Sequence, residues 1–187
     1  MSEPRLPMLS IQEARKVAEE NGLPAPMADL NIFRVLLHHP WLAKRINDLL
    51  MTLIFKGKLD GRLRELIIMR LGWTTKSDYE WTQHWRVATQ LGIDEEDLLA
   101  CRDWKNSDRF GETERAVLQA TDETVAVGFI SAETWERCAA QIRGTEELLE
   151  MVAAIGNWRM ISSILRSLEI PVEEGTASWP PDGKQPA

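Results

Sequence analysis

In every long segment of this chain the apolar residues recur three or four positions apart, and no run of alternating residues bounded by turns interrupts them. A chain patterned this way hides helix faces rather than sheet faces, so the spacing predicts an all-α domain of about nine helices. The longest stripe runs from Thr145 through Leu148, Val152, Ile155, Trp158, Ile161 and Leu165 until Pro171 stops it. Earlier boundaries are signalled by caps. Ser10 and Glu13 form a capping box, and Asn21-Gly22 ends the helix they begin. His38 and His39 mark a helix terminus, and Pro40 suits the first turn of the helix that follows, which ends at Gly57. Further helices are expected from Asp60, from Ser77 to Leu91, from Asp94, up to Gly128, and from Ser131 to Gly144, with residues 104–111 as a polar loop.

At 187 residues the chain is expected to form one domain over residues 1–171, with 172–187 as a tail without fixed structure, rich in Pro, Gly and small polar residues. A net charge of −7, with Lys and Arg scattered among acids, argues against nucleic acid or an anionic membrane as partner. Met1 to Arg5 lack a basic-then-apolar leader pattern, and no apolar stretch reaches the roughly 18 residues that span a bilayer. Cys101 and Cys138 read as buried thiols in a reducing compartment, and a cytoplasmic location is expected. Eight tryptophans are mostly core by expectation, though a pocket walled by some would suit a flat, unsaturated ligand.

The chemistry-bearing stretch lies between Leu59 and Trp104. Glu80 and His84 are i, i+4 on one helix, with Ser77 a turn earlier, and His84 sits at the edge of the apolar face of Trp81, Trp85 and Ala88. Each residue also has a plain structural reading. Ser77 and Glu80 make a capping box by spacing, Glu65 can pair with Arg62, Arg64 or Arg70, and His84 can be a satisfied core histidine.

The spacing of Glu65, Ser77, Glu80 and His84 resembles the carboxymuconolactone decarboxylase and alkylhydroperoxidase D superfamily. In the peroxidase branch of that family a Glu is followed after eleven residues by Cys, then after two by a second Cys and after three by His; here Ser77 and Glu80 stand where the cysteines would be. The flanking Leu37 to Pro40, Tyr79 to His84 and the segment after Gly92 are similar to a branch without those cysteines. The resemblance covers roughly residues 28–170 and implies the family's helical fold, no cofactor and no bound metal.

Without a low-pKa thiol at Ser77 or Glu80, thiol peroxidase chemistry is not expected. The resemblance implies instead a decarboxylase-like lyase or isomerase acting on a small unsaturated lactone or conjugated acid, of the kind met in aromatic-compound catabolism. His84 would be the general acid/base, Glu65 its orienter and Glu80 a second carboxylate. Ser77, Tyr79, Trp81, Trp158 and an arginine (Arg70, with Arg86 and Arg159 as alternatives) would bind substrate, with Asn157 contributing from the opposite wall. The family's trimers and hexamers imply self-association. Two alternatives stand beside this: a non-catalytic small-molecule-binding protein on the same fold, and a metal-dependent enzyme using Glu65, Glu80 and His84 as ligands.

Overall fold

A computed structural model of the chain describes residues 4–187; the first three residues of the leader reading, Met1 to Glu3, lie outside the described residues. Among the described residues there are ten α-helices and no strand, as the periodicity predicts. Where a single domain over 1–171 was expected, the chain divides into two compact units. One takes the residues up to Lys56 together with Ile164–Thr176, and the other takes Gly57–Ser163 with Ala177–Ala187.

The first unit holds α1 (Ile11–Glu20), α2 (Ala25–Ala28), α3 (Asn31–Leu36) and α4 (Pro40–Met51), which leads into a π-helical turn at Thr52–Lys56. The capping box at the start of α1 is present: the Glu13 N–H donates to Ser10 Oγ at 3.2 Å, and the Ser10 N–H donates to Glu13 Oε2 at 2.9 Å. Phe33, Val35, Leu37, Ile46 and Leu50 make this unit's apolar interior. His39 caps α4 by accepting the Leu42 N–H on Nδ1 at 3.3 Å.

The second unit is built around α5 (Gly61–Thr74), which packs against α6 (Asp78–Gln90), α8 (Glu112–Val127) and a 3-10 helix at Cys101–Asn106. Asp60 caps α5 through its side chain, accepting the Leu63 N–H at 3.0 Å. Leu63, Leu66, Ile67, Ile68, Met69 and Leu71 are all buried, so the middle of α5 is enclosed and Arg64 and Glu65 are carried inside with it. Gly72 lets α5 and α6 approach, since a Cβ there would stand 2.9 Å from the Trp81 backbone nitrogen. Around this pair lie α7 (Glu95–Ala100), α9 (Ala132–Gln141) and α10 (Thr145–Ser167), whose residues through Ser163 belong here. Residues 104–111 are less a polar loop than expected: Trp104 and Phe110 are buried, and the Trp104 indole donates to Asp122 Oδ2 at 3.0 Å.

The tail also departs from expectation. In the first unit, Asn31 holds Glu173 through its backbone N–H (2.9 Å) and Pro171 through its side chain (3.2 Å). In the second, Trp179 is buried among Trp73, Trp81 and the rest of that core, with ring centroids 5.9 and 6.1 Å away. Its N–H donates to Asp78 Oδ1 at 3.0 Å, the Trp81 indole donates to the Pro180 carbonyl at 2.7 Å, and Asp182 takes both Arg102 nitrogens at 2.8 Å. A large indole with an apolar shelf to cover outweighs the disordering composition around it. Helix α10 has mean hydropathy 1.2 over its most apolar window and is long and apolar enough to cross a membrane by length and composition, although Arg159 interrupts it and 44% of that window is buried inside the protein.

Candidate functional site

Glu80 and His84 emerge one turn apart from α6, and Glu65 faces them from the middle of α5. Glu65 is fully buried, Glu80 is 3% exposed, and His84 is 9% exposed, so the imidazole is the most open member of the cluster. Glu65 Oε2 lies 2.7 Å from His84 Nδ1, while Glu65 Oε1 accepts the Arg64 Nε–H at 3.0 Å. On the far side of the ring, the Trp158 indole on α10 donates to His84 Nε2 at 3.0 Å, the two rings meeting edge to face at 84°. Glu80 Oε2 stands 3.7 Å from the same Nε2, beyond hydrogen-bond reach, and Glu80 Oε1 has no partner.

These contacts assign the proton. Burial alone would raise the Glu65 carboxyl, but the facing His84 and Arg64 outweigh it and hold Glu65 below its ordinary range, so it stays ionised. His84 therefore carries a proton on Nδ1, donated to Glu65, and its neutral ring accepts the Trp158 N–H on Nε2. Burial works to lower the histidine, yet Glu65 and then Glu80 prevail and lift it above its ordinary value. Glu80 has no cation of its own: burial pushes it up to about 7, with His84 opposing and Glu65 adding to the rise. The two groups stand 3.7 Å apart, so the charge of each favours the ionised form of the other.

Other expected site residues are placed elsewhere. Arg70 is locked in a two-pronged pair with Asp122 (2.6 and 3.0 Å) and also donates to the Cys101 and Arg102 carbonyls, so it is a brace and not a substrate clamp. Trp81 is fully buried in the core, with its indole on Pro180, and walls no site. Arg86 lies exposed beside Gln83, and Arg159 reaches toward the Val125 carbonyl at 3.5 Å. Tyr79 is buried on α6, about 100° around the helix from Glu80. Asn157 is buried with both side-chain polar atoms unpaired. The capping-box reading of Ser77 and Glu80 fails: Ser77 occupies the N-cap position but makes no side-chain cap bond, and its hydroxyl is buried without a partner. Trp158 touches the imidazole directly, through a hydrogen bond where only a wall was expected. Arg64 is the addition: it was weighed as one exposed partner of Glu65, and it forms a buried pair with it.

Among the described residues, no group of three or more His, Cys, Asp or Glu is arranged to hold a metal ion. The geometry explains this, because Glu65 and Glu80 address opposite nitrogens of one ring. The three-ligand reading does not fit that arrangement. The thiols of Cys101 and Cys138 are buried and pushed up to about 12 and about 11.

The fold is that of the AhpD-like proteins. A protein of unknown function from Agrobacterium tumefaciens, linked to antioxidant defence as AhpD, is 22% identical with TM-score 0.67 over 74% of this chain and 96% of its own. An alkylhydroperoxidase AhpD core, a peroxidase-related protein from Ralstonia eutropha, gives TM-score 0.74 at 14% identity over 93% of this chain and 94% of its own. The debrominase Bmp8, solved in complex with 2,3,4-tribromopyrrole, gives 0.69 at 18% identity over 93% and 94%. No curated protein matches in sequence. Residues 40–123, which include Glu65, Glu80 and His84, match the carboxymuconolactone decarboxylase family. Residues 40–123 thus carry the pattern of the carboxymuconolactone decarboxylase family, set in a fold shared with AhpD-like proteins.

Proposed function

We propose that this protein is a cofactor-independent lyase or isomerase that moves a proton to or from carbon in a small unsaturated lactone or conjugated acid. The observation that carries the reading is the pair of Glu80 and His84, 3.7 Å apart in a buried site, with Glu65 fixing the opposite ring nitrogen at 2.7 Å. Nε2 of His84 takes the proton from a carbon conjugated with a carbonyl, and the bonding pair moves onto the carbonyl oxygen. The imidazolium that forms is stabilised by Glu65 on one side and Glu80 on the other. Return of the proton to a different carbon completes an isomerisation. In the lyase direction His84 starts as the imidazolium: carbon dioxide leaves from the substrate carboxylate, and the C–C bonding pair moves onto the conjugated carbonyl oxygen. The imidazolium then gives its Nε2 proton to the carbon left behind and is reprotonated from solvent.

The same site favours a second reading through one contact. The Trp158 N–H occupies the Nε2 lone pair, as suits a protein that binds a small molecule without turning it over. In either reading, the apolar stripe of Leu149, Val152 and Met160 exposed along α10 suits self-association as a trimer or hexamer, and the buried free thiols suit the cytoplasm.

The test is carbon dioxide release, together with deuterium uptake from solvent into carbon, over a panel of unsaturated lactones and conjugated acids. Wild type should turn over at least one, and His84→Ala should lose about a hundredfold or more. An unchanged rate in His84→Ala removes the histidine from the mechanism; wild-type silence across the panel favours the binding role.

A further inference from the structure

The buried cluster holds two carboxyls, one imidazole and one guanidinium, and its charge can be counted. The Arg64 Nε–H donates to Glu65 Oε1 at 3.0 Å, both side chains being buried, and Glu65 Oε2 faces His84 Nδ1 at 2.7 Å. Glu80 stands 3.7 Å from the other ring nitrogen. Other charged groups on the elements around α6 are engaged elsewhere. Arg70 of α5 pairs with Asp122 of α8, Asp97 of α7 with Arg62 and Arg109, and Asp182 of the tail with Arg102. Asp78 of α6 itself accepts the Trp179 N–H. From α10 the ring receives a neutral indole N–H, while Glu150 accepts the Lys58 and Leu59 N–H groups and Arg159 reaches for a backbone carbonyl. Burial and Arg64 oppose the lift that Glu65 and Glu80 give the imidazole.

A guanidinium keeps its charge over the whole range in which carboxyls and imidazoles titrate. With Glu65 ionised, two placements of one proton leave the four groups uncharged in sum: neutral His84 with Glu80 as the acid, or imidazolium with Glu80 as the carboxylate. A proton can thus reside on the ring or on the carboxyl with no uncompensated charge in a buried site, where such a charge is costly. Without the guanidinium charge, both placements leave the cluster negative, and it regains neutrality only by taking a second proton. We propose that Arg64 is the positioning residue that sets the proton count of this site: acting through Glu65, it holds the cluster to one mobile proton near neutral pH. This deepens the proton-transfer reading, whose two directions need His84 as the neutral base and as the imidazolium, but its test needs no turnover.

Nitrogen-15 NMR of the full chain without substrate reads the His84 midpoint. Arg64→Gln, which offers Glu65 a neutral donor, should raise that midpoint by about one unit or more, because the imidazolium loses a like charge nearby. If that variant does not fold, Arg64→Met removes the same charge and carries the same expectation. Arg64→Lys keeps the charge and loses the planar guanidinium, and should stay within about 0.3 unit of wild type. A midpoint that holds or falls when the charge is removed overturns the proposal. So does a lysine variant that shifts as far as the neutral one, since a bond and not a charge would then govern the ring. Wild-type silence across the substrate panel would sink the proton-transfer reading, and the midpoints alone would still decide the role of Arg64.

Discussion

Trp158→Phe keeps the ring that packs edge to face on His84 and removes only the N–H that donates to Nε2 at 3.0 Å. That bond exists only while Nε2 has a free lone pair, so it stabilises the neutral imidazole and opposes the lift given by Glu65 and Glu80. A buried hydrogen bond of this kind is worth about 0.5–1.5 kcal/mol net, and about 1.4 kcal/mol corresponds to one pKa unit. Removing it should therefore raise the His84 titration midpoint by about half a unit to one unit. The sign follows because the neutral form loses a partner and the cation loses nothing. Nitrogen-15 NMR of the ring reads this directly, and with three histidines in the chain His84 is assigned by the signal missing in His84→Ala. Wild type above its midpoint should show Nδ1 protonated and Nε2 as acceptor. A midpoint that stays put or falls in Trp158→Phe, or an Nε2 that carries the proton in the neutral wild-type ring, would refute the proton assignment.

Two further outcomes follow from the same geometry. Glu80 has an ordinary value of 4.5 and titrates at about 7 in the fold, so its contribution to stability is complete below 4.5 and is lost as the pH rises through 7, by up to about 3 kcal/mol. Glu80→Gln should accordingly melt higher relative to wild type at pH 8 than at pH 5, and an equal difference at both would mean that the carboxyl is not strained by burial. Trp179→Ala should cost about 3–5 kcal/mol in chemical denaturation, the usual range for emptying a buried indole site; a cost under about 1 kcal/mol would show that the tail does not pack in solution.

The helices were legible because their signals are local. Ser10, Asp60, Asp94 and Ser131 each cap the helix that their spacing announced. Ser77 had the same spacing and does not cap: its hydroxyl is buried without a partner, and its backbone N–H is turned back to the Gly72 carbonyl at 2.8 Å. That difference is tertiary and leaves no local trace. The meeting of Glu65 with His84 could be expected from a family register, whereas the Trp158 contact joins residues 74 positions apart and depends on the direction of one N–H. Arg70 looked free for a similar reason: Asp122, which holds it, lies 52 residues away. Trp179 was misjudged because composition averages over a segment, and one indole finding a core is enough to order its neighbours.

The substitution of Ser77 and Glu80 at the cysteine positions of the related peroxidase signature changes what the helix can hold without disturbing what it faces. A thiol pair stores electrons by forming and breaking a disulfide, which needs a thiolate near neutral pH. Cys101 and Cys138, with thiols pushed up to about 12 and about 11, cannot take over that task. Glu80 brings a carboxyl that burial pushes up to about 7, beside an imidazole lifted above its ordinary value. Such a pair can store a proton and cannot store an electron pair. The Glu65–His84 contact serves either chemistry, since orienting an imidazole helps to activate a thiol as well as to pull a proton from carbon. With Ser77 and Glu80 at those two positions the helix lacks the thiols that redox chemistry needs, and the carboxyl at position 80 is the feature on which the proposed proton-transfer reading rests.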